Sequence, residues 1–152
     1  HMSMFTSFNI SASGMTAQQL RSDIISQNIA NSNTTRTSDG TPYVRKAVVF
    51  TEKTLTGATA IKGANSNGSS FASALRSILR QDPNIDTSTD MNMVYDPSHP
   101  DADENGYVTY PNVNVVQEMT DMIDASRSYE ANISAFNASK SMATKGLSIG
   151  QA

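Results

Sequence analysis

Apolar residues recur at helical spacing at the two ends of this chain and lose that rhythm in between. From Phe5 to Asn31 the apolar positions are Phe5, Phe8, Ala12, Met15, Ala17, Leu20, Ile24, Ile25 and Ile29. Steps of three and four dominate, so the spacing predicts one long amphipathic helix. Gly14 weakens it by about 1 kcal/mol relative to Ala. Asn31-Ser32-Asn33 should end it, because Asn tolerates the left-handed conformation that closes helices.

The second helical pattern is longer. Asn114 is a candidate N-cap, with Gln117 at capping-box spacing. A stripe then runs Met119, Met122, Ser126, Tyr129, Ile133, Phe136, Lys140, Ala143 and Leu147. Its steps alternate three and four, which is a heptad register, with Ser126 and Lys140 as polar interruptions. A helix continuing to about Ile149 would be about 54 Å long at 1.5 Å per residue. Such a helix projects from a chain of this size, and a projecting apolar stripe needs a partner.

The middle is different. All five prolines lie between Pro42 and Pro111. Thr37–Pro42 is turn chemistry. Tyr43–Thr51 reads as a strand with imperfect alternation. Thr56–Ser70 is rich in Gly, Ala, Asn, Ser and Thr and reads as a flexible loop. Phe71, Leu75, Ile78 and Leu79 suit a short amphipathic helix bounded by Pro83. Met93–Tyr95 and Gly106–Tyr110 read as short strands, forming a hairpin or joining one small sheet. The expected class is therefore α+β. Long N- and C-terminal helices form an antiparallel, coiled-coil-like pair around a small β-containing middle domain. The boundaries fall at 3–33, 34–113 and 114–150, with the flexible loop near 56–70.

Composition sharpens this picture. The chain has 152 residues, 38% hydrophobic and 16% charged, with a net charge of −3 and no cysteine. Both fractions are low against the roughly 45–50% and about 25% of an ordinary soluble domain. Uncharged polar residues fill the gap, so charge repulsion defends the chain weakly against self-association. In the first helix only Arg21 and Asp23 are charged. Either Ser and Gln face water there, or neighbouring subunits pack the helix on several sides. Nucleic acid is not expected as a partner, since phosphate binding wants a basic face. No disulfide or thiol chemistry is available. No apolar run approaches the ~18–20 residues of a membrane span. His1-Met2 reads as a cloning remnant, and no cleavable secretory signal follows it.

Candidate chemistry is sparse. Asp101-x-Asp103-x-Asn105-Gly106 matches the first half of an EF-hand calcium loop. The twelfth position is Asn112 rather than a bidentate Glu, and Pro97 and Pro100 obstruct an entering helix, so an acidic turn competes with the metal reading. His99 sits in a turn without an identifiable orienting carboxylate. Asp121 and Asp124 share a helix face, as paired catalytic carboxylates or as a solvated salt-bridged surface. Met119 and Met122 fit a seam better than a functional methionine surface. Asn28 and Asn31 stand three apart at the end of the first helix. An amide at a packed seam can fix register, and Asn31 equally suits a plain helix cap. No catalytic, cofactor or metal residue is assigned.

The run Ile24-Ile25-Ser26-Gln27-Asn28-Ile29-Ala30-Asn31-Ser32-Asn33-Thr34 resembles the N-terminal signature of bacterial flagellar axial proteins. Val94-Tyr95-Asp96-Pro97, Gly106-Tyr107-Val108, Pro111-Asn112-Val113-Asn114-Val115-Val116, Glu118-Met119 and Ser126-Arg127-Ser128-Tyr129-Glu130-Ala131-Asn132 narrow it. They resemble the proximal rod proteins, C type, of the flagellar basal body. The resemblance covers nearly the whole chain but is faint from about Thr54 to Asn92. It implies a structural, non-enzymatic subunit of the periplasm-spanning rod, exported without signal cleavage. It implies self-association in the rod, with other rod proteins and the membrane ring and export complex as partners. No cofactor, nucleic acid or small-molecule substrate is implied. The expected assembly interface is Phe8, Met15, Leu20, Ile24, Asn28, Ile29, Asn31, Met119, Met122, Tyr129, Ile133, Phe136 and Leu147. The rival reading is a secreted calcium-dependent or hydrolytic module using the Asp101–Asn105 loop. A soluble helical adaptor is a second rival.

Overall fold

The computed structural model describes residues 4–50 and 84–151. The expected flexible loop at 56–70 and the short helix around 71–79 lie outside the described residues. Two long helices dominate: α1, Met4–Ala30, and α2, Val115–Gly150. Between them come β1, Lys46–Ala47; β2, Asn84–Ile85; β3, Asn92–Tyr95; and β4, Tyr107–Tyr110. The architecture is α+β. Among the described residues, no helix is long and apolar enough to cross a membrane.

The two helices run antiparallel, and three contacts fix their register. Ser7 Oγ lies 3.0 Å from Ser139 Oγ. A Cβ built on Gly14 would stand 2.6 Å from Asn132 Oδ1. Asn28 Nδ2 donates to Glu118 at 3.1 Å. Seven residues forward from Ser7 to Gly14 match seven back from Ser139 to Asn132; fourteen more reach Asn28 and Glu118. That equal stepping is what an unbroken heptad seam produces. Phe8 and Phe136 meet edge-on at 5.0 Å between ring centroids.

The inward stripe of α2 differs from the predicted one in half of its positions. Met122, Tyr129, Ile133, Phe136 and Ala143 are half-buried as the spacing predicts. The innermost residues of the helix, however, are Glu118, Ala125 and Ser139. Each stands one residue before a predicted position. Met119, Ser126, Lys140 and Leu147 are exposed. The physical reason is close approach. At Gly14 the backbones come so near that a Cβ would meet Asn132, while Ser139 and Glu118 hold inward positions through hydrogen bonds to Ser7 and Asn28. On α1, polar Ser11 and Asn28 are buried as well as apolar Ile24 and Ile25.

The cap of α2 forms as expected in one half only. Asn114 Oδ1 accepts from the Val116 and Gln117 amides at 3.1 and 3.2 Å. The Gln117 side chain instead donates forward to Asp121 at 3.3 Å, so the reciprocal bond of a capping box is not made.

The predicted strand at 43–51 shrinks to Lys46–Ala47, paired antiparallel with Asn84–Ile85; Thr51 lies outside the described residues. Its neighbours are bonded in other ways. The Arg45 amide donates to Asn112 Oδ1 at 2.8 Å, and the Lys46 amide to Asn28 Oδ1 at 2.9 Å. Side-chain amides occupy the places a partner strand would fill. β3 and β4 form a separate hairpin, pairing Tyr95 with Tyr107 and Val94 with Val108. Its loop closes at Gly106, whose φ of 81° is open to glycine. A Cβ there would also stand 2.9 Å from the Tyr95 ring. Val108 is fully buried, whereas Met93, Tyr95 and Tyr107 are exposed.

Candidate assembly site

The most constrained cluster lies where α1 ends and α2 begins. Asn28, 1% exposed, uses every hydrogen-bonding position of its amide. Nδ2 donates to the Lys46 carbonyl at 2.8 Å and to Glu118 Oε2 at 3.1 Å. Oδ1 accepts from the Tyr43 hydroxyl and the Lys46 amide, each at 2.9 Å. Glu118, also 1% exposed, receives the Arg45 guanidinium on its other oxygen. Arg45 reaches Asp86 at 3.3 Å and Asp121 at 4.0 Å. Asn112 completes the cluster by donating to the Asp86 and Thr89 carbonyls at 3.0 Å each. One network therefore ties both helices to the 43–47 segment and to β2. A buried polar cluster with every member satisfied specifies one arrangement, because each slip leaves a desolvated group unpaired.

Charge states follow from these partners. Burial lowers the Arg45 pKa, but the bonds and charges of Glu118 and Asp86 outweigh it and leave it raised. Burial, followed by the Glu118 charge, pushes the Tyr43 hydroxyl up. Asp86 is held well below the ordinary carboxylate range, chiefly by the Ser88 and Thr89 hydroxyls that donate to it at 2.7 and 2.9 Å. A depressed carboxylate contributes stability fully above its unfolded pKa of about 3.9, and loses it as pH falls through the folded value. Asp86 should thus stay ionised after ordinary carboxylates have protonated. Carboxyl-carbon NMR across an acid titration checks this. Ser88→Ala with Thr89→Ala should move its titration upward; an unchanged titration would contradict the assignment.

The residues predicted for the interface separate into groups. Phe8 and Phe136 pack on each other between the helices. Ile24 and Asn28 are buried within the chain itself. Met15, Leu20, Ile29, Asn31, Met122, Tyr129 and Ile133 are half-buried. Asn31 bonds locally to the Gln27 carbonyl at 2.9 Å and accepts from Thr34, as a cap does. Met119 and Leu147 are 53% and 72% exposed. Met119 shares an outward face of α2 with Val116 and Ile123, 74% and 54% exposed. Sequence reasoning gave Tyr43, Arg45, Asp86 and Asn112 no part in such a network. The one usable signal was the Arg45-Lys46 pair inside an otherwise apolar run.

The alternative chemistry dissolves into local structure. Asp101 accepts from Thr35 Oγ1 at 2.8 Å and pairs with Arg36 at 3.5 Å. Asp103 Oδ1 accepts the Asn105 and Tyr107 amides at 2.9 and 2.8 Å. These carboxylates shape the β3–β4 loop instead of converging, and among the described residues no group of three His or acidic side chains could hold a metal ion. His99 Nδ1 accepts the Asp101 amide at 3.1 Å. Asp121 pairs with Arg21 at 3.7 Å, while Asp124 is exposed.

Fold and site together define a class: a hairpin of terminal helices, closed by small and polar side chains, carrying a minor antiparallel β region at its turn. Two family models match it. One, described as flagella basal body rod protein, covers residues 8–36. The other, flagellar basal body rod FlgEFG protein C-terminal, covers 104–149. Flagellar basal-body rod protein FlgC of Borreliella burgdorferi is 42% identical, over 97% of this chain and 98% of its own length. The FlgC proteins of Bacillus subtilis and Salmonella typhimurium are 40% and 39% identical, each over 99% of this chain and their full length. The chain belongs to the FlgC family of flagellar basal-body rod proteins.

Proposed function

We infer that this chain is a non-enzymatic structural subunit of the bacterial flagellar basal-body rod, joined to its neighbours through its terminal helices. The observation that carries this reading is the outward face of α2. Val116, Met119 and Ile123 stand exposed on the side away from α1, although the protein could have placed such residues in its own seam. Burying that face against another helix gains about 25 cal/mol per Å² of apolar surface. Other rod proteins, the membrane ring and the export complex are the partners that fit, with export preceding assembly and no signal peptide cleaved.

The test uses residues that the subunit does not need for its own folding. Met119→Asp with Ile123→Asp should leave the thermal midpoint within about 3 °C of wild type, as surface changes do. It should abolish incorporation into isolated basal bodies and abolish motility. Basal bodies assembled normally from that variant would overturn the reading. Removing all of α1 is a poorer test, because it also strips Asn28 and Ile24 from the network and core.

A further inference from the structure

The last three turns of α2 carry apolar side chains that stand exposed. Met142, Leu147 and Ile149 are 66%, 72% and 76% exposed. Leu147 lies eighteen residues, or five turns, beyond Tyr129 on the same line of the helix, so it continues the stripe that faces α1. Ser7 stands opposite Ser139, and Leu147 lies eight residues further along α2.

Charge identifies the occupant. After Glu130 the chain has no acidic residue, and Lys140 and Lys145 are its only charges; both are exposed. Residues 84–124 hold nine acidic residues and no Lys or Arg. Arg45, Arg36 and Arg21 pair with Glu118, Asp86, Asp101 and Asp121. Asp103 and Glu104, on the β3–β4 loop, are exposed and form no ion pair among the described residues. Beside them stand exposed Met93, Tyr95 and Tyr107. Thus one end of the molecule is apolar and basic. Among the described residues the other, about 45 Å away along α2, is apolar and acidic.

We propose that the basic apolar end of α2 docks on the β3–β4 hairpin of a second copy of this chain, Lys140 and Lys145 meeting Asp103 and Glu104 of that copy. This contact is heterologous, so it propagates an open strand of subunits rather than a closed dimer. It rests on the structural-subunit reading above and specifies one of its interfaces.

A carbodiimide, which couples an ammonium to a carboxylate already in contact, tests it on the full chain. Equal amounts of unlabelled and nitrogen-15-labelled protein are mixed at high concentration, coupled, and digested for mass spectrometry. Mixed-label peptides joining Lys140 or Lys145 to Asp103 or Glu104 are expected. Their absence, or lysines coupled only to other carboxylates, overturns the contact. Sedimentation gives the second reading. Lys140→Glu with Lys145→Glu should abolish the concentration-dependent rise in mass, and adding Asp103→Lys with Glu104→Lys should restore it. Loss without restoration overturns the pairing, provided circular dichroism shows unchanged helicity. Failure here with normal loss of basal-body incorporation by Met119→Asp and Ile123→Asp removes only this contact; the structural reading would stand.

Discussion

Replacing Glu118 with Ala is expected to destabilise the chain by about 3–5 kcal/mol, the cost of breaking one side of a buried ion pair. Glu118 is 1% exposed and accepts from both Arg45 and Asn28. Without it the Asn28 donor loses a partner inside the chain, and the Arg45 guanidinium keeps only Asp86 and the more distant Asp121. A thermal midpoint lower by on the order of 10 °C is the corresponding shift. Glu118→Gln separates the two contributions. It keeps an acceptor for Asn28 and removes the charge, so it should cost less than half as much. Calorimetry of the two variants checks both values. Equal midpoints for wild type and Glu118→Ala would mean that the network adds nothing to stability.

The second large effect concerns Gly14. Leucine there has no room, since even a Cβ would stand 2.6 Å from Asn132 Oδ1 and 2.9 Å from its Cγ. The helices must part, and among the described residues the half of the pair beyond Gly14 is joined by Ser7–Ser139 and Phe8–Phe136. Gly14→Leu should therefore lose a large share of the helical circular dichroism while the Asn28–Glu118 end stays folded. Hydrogen exchange would show fast amides in residues 4–14 and 132–150 and slow ones around 20–30 and 115–125. Alanine gives a sharper form of the argument. Asn132 is anchored to the Ser128 carbonyl at 2.9 Å, so it does not swing aside freely, and Gly14→Ala should cost stability. In an Asn132→Ala background the clash is gone and the same change should stabilise by about 1 kcal/mol through helix propensity. A double-mutant cycle with no coupling between the two sites would refute the close approach.

How far the sequence showed this structure varies with the kind of signal. The two helices were legible to within a residue or so at each end, because long periodic segments bounded by Asn caps leave little freedom. The β3–β4 hairpin was legible from two short β-rich runs flanking a Pro- and Asp-rich loop. The strand at 43–51 was overread, because its backbone partners are the Asn28 and Asn112 amides, 18 and 67 residues away from the groups they bind. The heptad on α2 was half right. A hydrophobic template finds Met122, Tyr129 and Phe136, but it has no way to prefer Glu118 over Met119 or Ser139 over Lys140. Those choices depend on what stands opposite.

The sequence alone determined two terminal helices, their antiparallel pairing, the poverty of charge, and a family signature at both ends. The helices and the poverty of charge follow from local period, capping and composition; the antiparallel pairing was an expectation that contacts such as Ser7–Ser139 bear out, and the signature is a resemblance of residues. Tertiary structure decided which stripe of α2 faces inward, that Asn28 works within its own chain, and that Arg45, Asp86, Asn112 and Glu118 form one network. Close approach at Gly14, and hydrogen bonds across the pair at Ser139 and Glu118, put small and polar side chains at inward positions of α2. Val116, Met119 and Ile123 are left exposed on the outer side of α2.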